Sequence, residues 1–336
     1  MKAVLTTDEH SLTVGEAPAP RPGPREMLIR VTRAGICGSD LHALEMIRRE
    51  WIVLGHEFTG VVEALGEGVT RFAVGDRVCS VPAVGCGACI HCLEGEPIFC
   101  AQRSVIGGTY GGAFAEFLLV GESSSVRVPD NVSDDLAGLA EPLAVGLRVV
   151  ERSGVAAGAS VLVLGAGPVG LAVTLWARFF GAGQIIVSDP VGSRRDLALR
   201  LGAHVAVDPT TEDLGAACVE HLGEAPGIVI ECAGRPGMLE LACQLAGNKG
   251  TVVLAGLHGQ PETFHRLTPL VKELSVVFPN FTSRGGFEVV LDMLSQGRID
   301  PSAMISHRIG LADLPATIKA LRQPNDMGKV LVLPHA

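Results

Sequence analysis

Two hydrophobic rhythms divide the chain. Through about residue 145, short β-prone runs such as Met27–Val31, Thr59–Leu65, Asp76–Cys79 and Ala113–Val120 are bounded by Gly, Pro or polar residues, the pattern of strands joined by tight turns. Beyond it the apolar runs Val161–Leu164, Ile185–Val187, Val205–Val207, Ile228–Ile230, Thr251–Leu254 and Leu274–Phe278 are mostly separated by helix-length stretches rich in Ala and Leu. Strands that are apolar on both faces and alternate with helices make a parallel sheet covered on both sides. The tail from Gly285 holds a further helix-like stretch, Phe287–Leu294, a turn at Gly297–Pro301 and a strand at Lys329–Leu333. It is too short for a third domain and is expected to complete the first. The reading is an α/β chain of two domains, 1–146 with 285–336, and 147–284.

Composition narrows the function classes. With 47% hydrophobic residues the 336-residue chain can build sizeable cores, which argues against disorder. Its 27 Lys and Arg against 36 Asp and Glu leave a net charge of −9. That disfavours a nucleic-acid partner, which needs a basic stripe to replace phosphate counterions, and no polybasic block points to a membrane surface. Met1 to His10 meets charge at Lys2, Asp8 and Glu9 without an apolar run, so a cytoplasmic protein is expected rather than a secreted one. Ser153 to Ala177 carries no charge over 25 residues, long enough for a bilayer. Gly154, Gly158, Gly165, Gly167, Pro168 and Gly170 break it, however, and predict a buried strand, a turn and a helix.

That turn carries the first candidate chemistry. Val161–Leu164 runs into Gly165-Ala166-Gly167-Pro168-Val169-Gly170, with Asp189 at the end of the next apolar run. A lone G-x-G-x-x-G is weak. Placed between a strand and a helix with an acid about 20 residues on, it is the dinucleotide fingerprint. Gly165 permits the turn, Gly167 lets pyrophosphate approach the backbone, and Gly170 allows close helix–strand packing, with the phosphate at the helix N-terminus. Asp189 can accept the ribose hydroxyls of NAD and repels the 2′-phosphate of NADP. Arg194 and Arg195 just beyond are either solvated charges of the next helix or adenosine contacts. NAD is the expected coenzyme.

Four of nine cysteines, Cys86, Cys89, Cys92 and Cys100, form C-x2-C-x2-C-x7-C on a loop containing Gly85, Gly87 and Gly95. Four thiolates so spaced can wrap a structural Zn2+ with no open position. An iron–sulfur cluster is the rival reading, and disulfides are disfavoured in a chain that is not secreted. His91 lies off the cysteine spacing and reads as a bystander. Upstream stand Gly35-Ile36-Cys37-Gly38-Ser39-Asp40-Leu41-His42 and Gly55-His56-Glu57-Phe58-Thr59-Gly60. A thiolate, an imidazole and a carboxylate can make a zinc site with a position left for substrate.

The C-G-S-D-x-H block at Cys37–His42, the G-H-E-x2-G-x5-G block from Gly55 to Gly66, the downstream cysteine lobe and Glu141-Pro142-Leu143-Ala144-Val145-Gly146 together resemble the zinc-dependent medium-chain alcohol dehydrogenases. The resemblance spans essentially the whole chain. It implies a GroES-like, β-rich catalytic domain and a doubly wound Rossmann coenzyme domain. It also implies two zincs per chain, a catalytic one at Cys37, His56 and Glu57 and a structural one at the four cysteines. Glu141, where many simple alcohol dehydrogenases carry Cys, resembles the sorbitol, threonine and butanediol dehydrogenases and is expected to ligate the catalytic zinc or hold its water. The implied reaction is reversible hydride transfer between a secondary alcohol or polyol and NAD. In it Ser39 accepts a hydrogen bond from the alcohol, His42 is the outer relay of the proton, Val169 presses on the nicotinamide, and Arg194 is placed at the coenzyme. A homodimer or homotetramer is implied as well. Two alternatives are a zinc-free enoyl or quinone reductase of the same superfamily, which would lack the metal ligands, and a non-enzymatic dinucleotide-binding protein.

Between the two metal blocks only Ala43 to Leu54 intervene. The connection is shorter than the resemblance leads one to expect, with Ala43 where polyol dehydrogenases tend to carry an aromatic. Leu44, Ile47 and Trp51 are apolar at near-helical spacing and read first as packing residues. A shortened wall would open the cleft to a bulkier or more apolar alcohol.

Overall fold

The computed structural model describes the chain except residues 8–10, 47–50, 281 and 324, and the side chains of residues 45 and 46. The chain forms two compact units, Met1–Ala144 with Thr282–Ala336, and Val145–Phe281. The C-terminal tail thus belongs to the first unit. Among the described residues no helix is long and apolar enough to cross a membrane. The uncharged stretch is instead the strand Ser160–Leu164 followed by the helix Pro168–Phe179.

The first unit is built on a seven-stranded sheet. Its order runs Ile305–Gly310, Lys329–Leu333, Glu26–Gly35, Glu57–Leu65, Arg77–Ser80, Ser125–Arg127, with Phe117–Gly121 also paired to Glu26–Gly35. Alternating residues of the long strand Glu26–Gly35 point into a core with Val4, Phe58, Phe114, Leu118 and Val332. The run at Ala113–Val120 is a strand only from Phe117. Before that, the Ala113 and Phe114 N–H groups donate to the carbonyls of Gly55 and Leu54, and that of Phe114's neighbour pairing, Val4, donates back to the Phe114 carbonyl. These contacts tie the segment to the second metal block instead of a ladder.

One register matters for everything below. Gly35, at the end of its strand, faces Glu57 on one neighbouring strand and Leu331 on the other. The ends of three strands distant in sequence therefore meet at Cys37.

The second unit is a six-stranded parallel sheet of order Val205–Val207, Gln184–Ser188, Ser160–Leu164, Ile228–Glu231, Thr251–Leu254, Ser275–Val277. Numbered along the unit this is 3-2-1-4-5-6, the doubly wound arrangement in which ligands bind where the order reverses, outside the carboxyl ends of strands 1 and 4. Its central strands are buried on both faces, as their unbroken apolar character requires.

Candidate active site and coenzyme turn

Cys37 leaves the strand Glu26–Gly35 and leads into the helix Gly38–Met46. Asp40, in the first helical turn, turns its Oδ2 back to accept from the Cys37 N–H at 2.9 Å, the reach of a third-position carboxylate to a cap N–H. Its other oxygen, Oδ1, lies 3.4 Å from His56 Nδ1. One buried carboxylate thereby fixes the ligand-bearing turn and orients the imidazole, turning Nε2 toward Ser39 Oγ at 3.4 Å. Burial alone would lower the His56 pKa; Asp40 and the Cys37 thiol more than offset it and hold it well above the usual histidine value.

Donor atoms of Cys37, His56 and Glu57 lie within 4.8 Å of one another. A soft thiolate, an imidazole already oriented through its other nitrogen, and a carboxylate fit a zinc ion. Glu141 is not part of that close group. It is the second residue of the helix Ala140–Ser153 and is buried. Burial pushes its pKa up to about 7, and His56, Glu57, Lys329 and Asp40 all act on it electrostatically. It stands beside the centre as a carboxyl that can be protonated near neutral pH.

Glu57 is held from behind. Lys329, 1% exposed, donates to Glu57 Oε1 at 2.7 Å and Oε2 at 2.6 Å, and to the Ile36 carbonyl at 2.9 Å. Burial lowers the Lys329 pKa, but Glu57 and Cys37 raise it further, so the ammonium stays charged above its ordinary range.

The sulfurs of Cys86, Cys89, Cys92 and Cys100 also lie within 4.8 Å of one another, and all four cysteines are free. Cys89 Sγ is 3.6 Å from Cys92 Sγ, near the ~3.8 Å edge of a tetrahedron with Zn–S bonds of about 2.3 Å. Backbone N–H groups of Cys86 and Gln102 point at Cys100 Sγ, and that of Cys89 at Cys86 Sγ, each at 3.4 Å. Backbone N–H groups at Ala88 and Cys89 bring the Cys86 thiol down to about 6, whereas burial pushes Cys92 up to about 12. A divalent cation bound there would resolve that conflict, since metal binding deprotonates the coordinating thiols. His91 is outside the group, its ring tilted at 55° to that of Phe99 with centroids 5.9 Å apart.

In the second unit, Gly165 has φ +99° and its missing side chain would press on the Cys232–Ala233 backbone. Gly167 caps the helix Pro168–Phe179 and opens on free space, while a Cβ at Gly170 would collide with the Gly165 carbonyl. The three glycines thus have the three separate reasons the fingerprint requires. Asp189 is buried, with Oδ2 accepting from the Ala166 N–H at 2.8 Å and Oδ1 from the Val191 N–H at 2.9 Å. Its carboxylate is held rigidly against the turn. Arg195 bonds the Asp189 carbonyl and pairs with Asp208 at 3.1 Å. Arg194 is half-buried in the first turn of the helix Gly192–Arg200, and Val169 is half-buried in that of Pro168–Phe179.

With this geometry, residues 23–130 match the family model of the alcohol dehydrogenase GroES-like domain and residues 168–296 that of the zinc-binding dehydrogenase. A sorbitol dehydrogenase of Halalkalibacterium halodurans is 30% identical over 344 residues, 99% of each chain. The chain belongs to the zinc-type medium-chain alcohol dehydrogenases. Among solved structures, a protein of Sinorhizobium meliloti 1021 described as a zinc-binding dehydrogenase and bound to NADP is 33% identical, with TM-score 0.89 and 99% of both chains covered. An alcohol dehydrogenase of Escherichia coli CFT073 complexed with NADH is 32% identical, with TM-score 0.91 and the same coverage. The present dehydrogenase therefore has the GroES-like and Rossmann-type domains of its family and is an enzyme of that family.

Two charged residues of this dehydrogenase's first unit escaped the sequence reading. Asp40 stood inside the C-G-S-D block, and its spacing three after Cys37 is the signal that could have assigned it. Lys329 lies 272 residues beyond Glu57, and no local pattern marks it. The packing expected of Leu44 holds, for it is buried in the first unit's core. Ile47 lies outside the described residues. Trp51 departs from the expectation: it is 68% exposed and lines a cavity of about 440 Å³ with Met1, Pro18, Ile52, Tyr110 and Phe117.

Proposed function

We propose that this dehydrogenase reversibly oxidises a secondary alcohol or polyol to a ketone with NAD, using one catalytic and one structural zinc per chain. The observation that carries it is the convergence of Cys37, His56 and Glu57 within 4.8 Å, with Asp40 behind the imidazole and Ser39 before it. When bound, the zinc supplies Lewis acidity that makes a hydroxyl easier to deprotonate, and NAD supplies the hydride acceptor.

The chain's own groups do the rest. Cys37 Sγ, His56 Nε2 and a Glu57 carboxylate oxygen would hold the metal, and Asp40 Oδ1 keeps the imidazole in the tautomer with Nε2 free to donate its lone pair. Ser39 Oγ, within reach of His56 Nε2, accepts a hydrogen bond from the alcohol and passes its own proton outward as it takes the alcohol's. His42 follows Ser39 by three residues on one helix, which places the two side chains on the same face, and its imidazole, able both to accept and to donate a proton, is the outward relay. Glu141 is a carboxyl ligand or the anchor of a water at the centre. On the coenzyme side, Gly165, Gly167 and Gly170 receive pyrophosphate, Asp189 accepts the adenosine ribose hydroxyls, Arg194 lies along the adenosine, and Val169 buttresses the nicotinamide. The anchored Asp189 carboxylate favours NAD over NADP by charge repulsion. Reduced, free thiols throughout suit a cytoplasmic enzyme. The edge strand Ser275–Val277, with Leu270 and Phe278 exposed nearby, suits pairing of copies into a homodimer or homotetramer.

A single purified sample tests the reading. Two zincs per chain, growth of the NADH absorbance band on a panel of secondary alcohols, a clear preference for NAD over NADP, and a mass of two or four copies by light scattering are expected. Turnover of activated alkenes alone, with one zinc, would assign it to the reductases instead. Asp40→Asn is expected to weaken metal retention at the Cys37 centre by about 10–100-fold, the usual effect of losing a carboxylate behind a ligand histidine. The metal of the four-cysteine lobe should be untouched, as read by zinc content after graded chelation. Equal loss from both sites would separate Asp40 from His56.

A further inference from the structure

We propose that Asp208 is a second coenzyme-specificity residue: by pairing with Arg195 it withholds that guanidinium from a 2′-phosphate, and so adds to the preference for NAD over NADP that Asp189 sets. This deepens the reading that the glycine turn and Asp189 receive NAD, and it rests on that reading.

Two arginines, Arg194 and Arg195, follow Asp189 closely in sequence, and a guanidinium there could grip an extra phosphate on the adenosine ribose. One of the two is already engaged. Arg195, the fourth residue of the helix Gly192–Arg200, sets its Nη1 between two acceptors, the Asp189 carbonyl at 2.7 Å and Asp208 Oδ2 at 3.1 Å. Gly192 leaves room for the rest of the fork, since a Cβ there would meet Arg195 Nη2 at 3.7 Å. The guanidinium therefore lies against the same residue whose carboxylate is to read the ribose. Asp208 reaches it because the sheet register brings the two acids together. Ser188 pairs with Val207 on the neighbouring strand, and the Asp189 N–H donates to the Val207 carbonyl at 3.2 Å. Asp189 and Asp208 thus leave adjacent strand ends, with Arg195 bonded to both.

Asp208 is itself fixed in place. Its Oδ1 accepts from the Thr210 N–H at 2.9 Å and from the Thr210 hydroxyl at 2.6 Å, a local turn that leaves Oδ2 to the arginine. The side chains of Arg195 and Asp208 are 22% and 20% exposed, so salt screens the pair less than an open surface contact. A 2′-phosphate that used Arg195 would have to displace a carboxylate held by its own turn, and would meet the negative charges of both Asp189 and Asp208. Without Asp208, the partner left to Arg195 is a neutral carbonyl, and the guanidinium charge stands uncompensated beside the ribose site. Were the pair only a brace between helix and strand end, its loss would act on stability and leave the choice between the two coenzymes unchanged.

The test compares full-length wild type, D208N, R195M and the double variant, with the affinities for NADH and NADPH taken by titration calorimetry. Wild type is expected to bind NADH more tightly. In D208N the amide oxygen keeps the Thr210 bonds and the amide nitrogen takes the place of Oδ2, where a donor cannot hold Arg195. The preference for NADH over NADPH should then fall by about fivefold or more through tighter NADPH binding, a change one charge-assisted hydrogen bond can supply. In the R195M background the same replacement should shift the preference less than half as far on a logarithmic scale, because its effect runs through the guanidinium. D208S, whose hydroxyl can still take the Thr210 N–H, should shift it in the same direction and serves if D208N does not fold. A wild type that binds NADPH as tightly as NADH, or more tightly, overturns the reading of an NAD enzyme. A wild type that prefers NADH, with a D208N shift below about fivefold or one not at least halved without Arg195, overturns the role of Asp208 alone.

Discussion

His56→Ala is expected to lower kcat/KM for alcohol oxidation by about 10^4-fold, because losing a metal that stabilises developing negative charge forfeits several kcal/mol, and each 1.4 kcal/mol is tenfold. The substitution removes the imidazole that joins three parts of the site: Cys37 within ligand distance, Ser39 Oγ at its Nε2 and Asp40 at its Nδ1. It also leaves Asp40 Oδ1 buried without that partner, so some loss of stability accompanies it. Zinc content should fall from two to one per chain, and the cysteine lobe should keep its share. Steady-state kinetics with metal analysis on the same preparation checks this. A variant within tenfold of the parent and still holding two zincs would mean that the alcohol is activated elsewhere.

The second large effect is expected in the four-cysteine lobe. Between residues 83 and 105 the secondary structure is a pair of two-residue strands, the four-residue helix Ile90–Leu93 and the three-residue turn Pro97–Phe99. Elements this short do not stand by themselves. Ile90, Leu93 and Phe99 are exposed, so the apolar burial available is small. Metal binding can supply the missing free energy, roughly 10–16 kcal/mol in isolated zinc-finger peptides. Cys100, 1% exposed and the acceptor of two backbone N–H groups, is the ligand whose loss should be felt most. Cys100→Ser is expected to release one zinc, expose residues 86–102 to proteolysis and lower Tm by about 10 °C or more, a few kcal/mol at this size. Retained zinc and an unchanged melting curve would remove the metal from the lobe.

Much of this molecule was legible one segment at a time. The glycine turn could be read because strand, turn and helix follow one another within twenty residues, and each glycine answers a local demand: a left-handed φ at Gly165, open space at Gly167, contact with its own turn at Gly170. The cysteine lobe was legible for the same reason, its four donors falling on one short loop. The alternation of apolar runs with Ala-rich helices was enough for the parallel sheet, since strands covered on both faces have no polar side to show. Where local pattern misled, a remote partner had intervened. Ala113 and Phe114 have strand-like side chains, yet their backbone bonds go to Gly55 and Leu54. Trp51 looked like core and is exposed.

By itself, then, the order of residues determined the two-domain α/β plan, the glycine turn and both clusters of closely placed Cys, His and Glu side chains, because each is written in spacings that a single loop or strand enforces. Only the tertiary structure decided how the donors are restrained: Asp40 shared between a helix cap and an imidazole, and Glu57 clasped by a lysine from the last strand. Those pairings depend on a β-register in which Gly35 lies between Glu57 and Leu331. A buried charge finds its counter-charge through folding, wherever along the chain that partner happens to be.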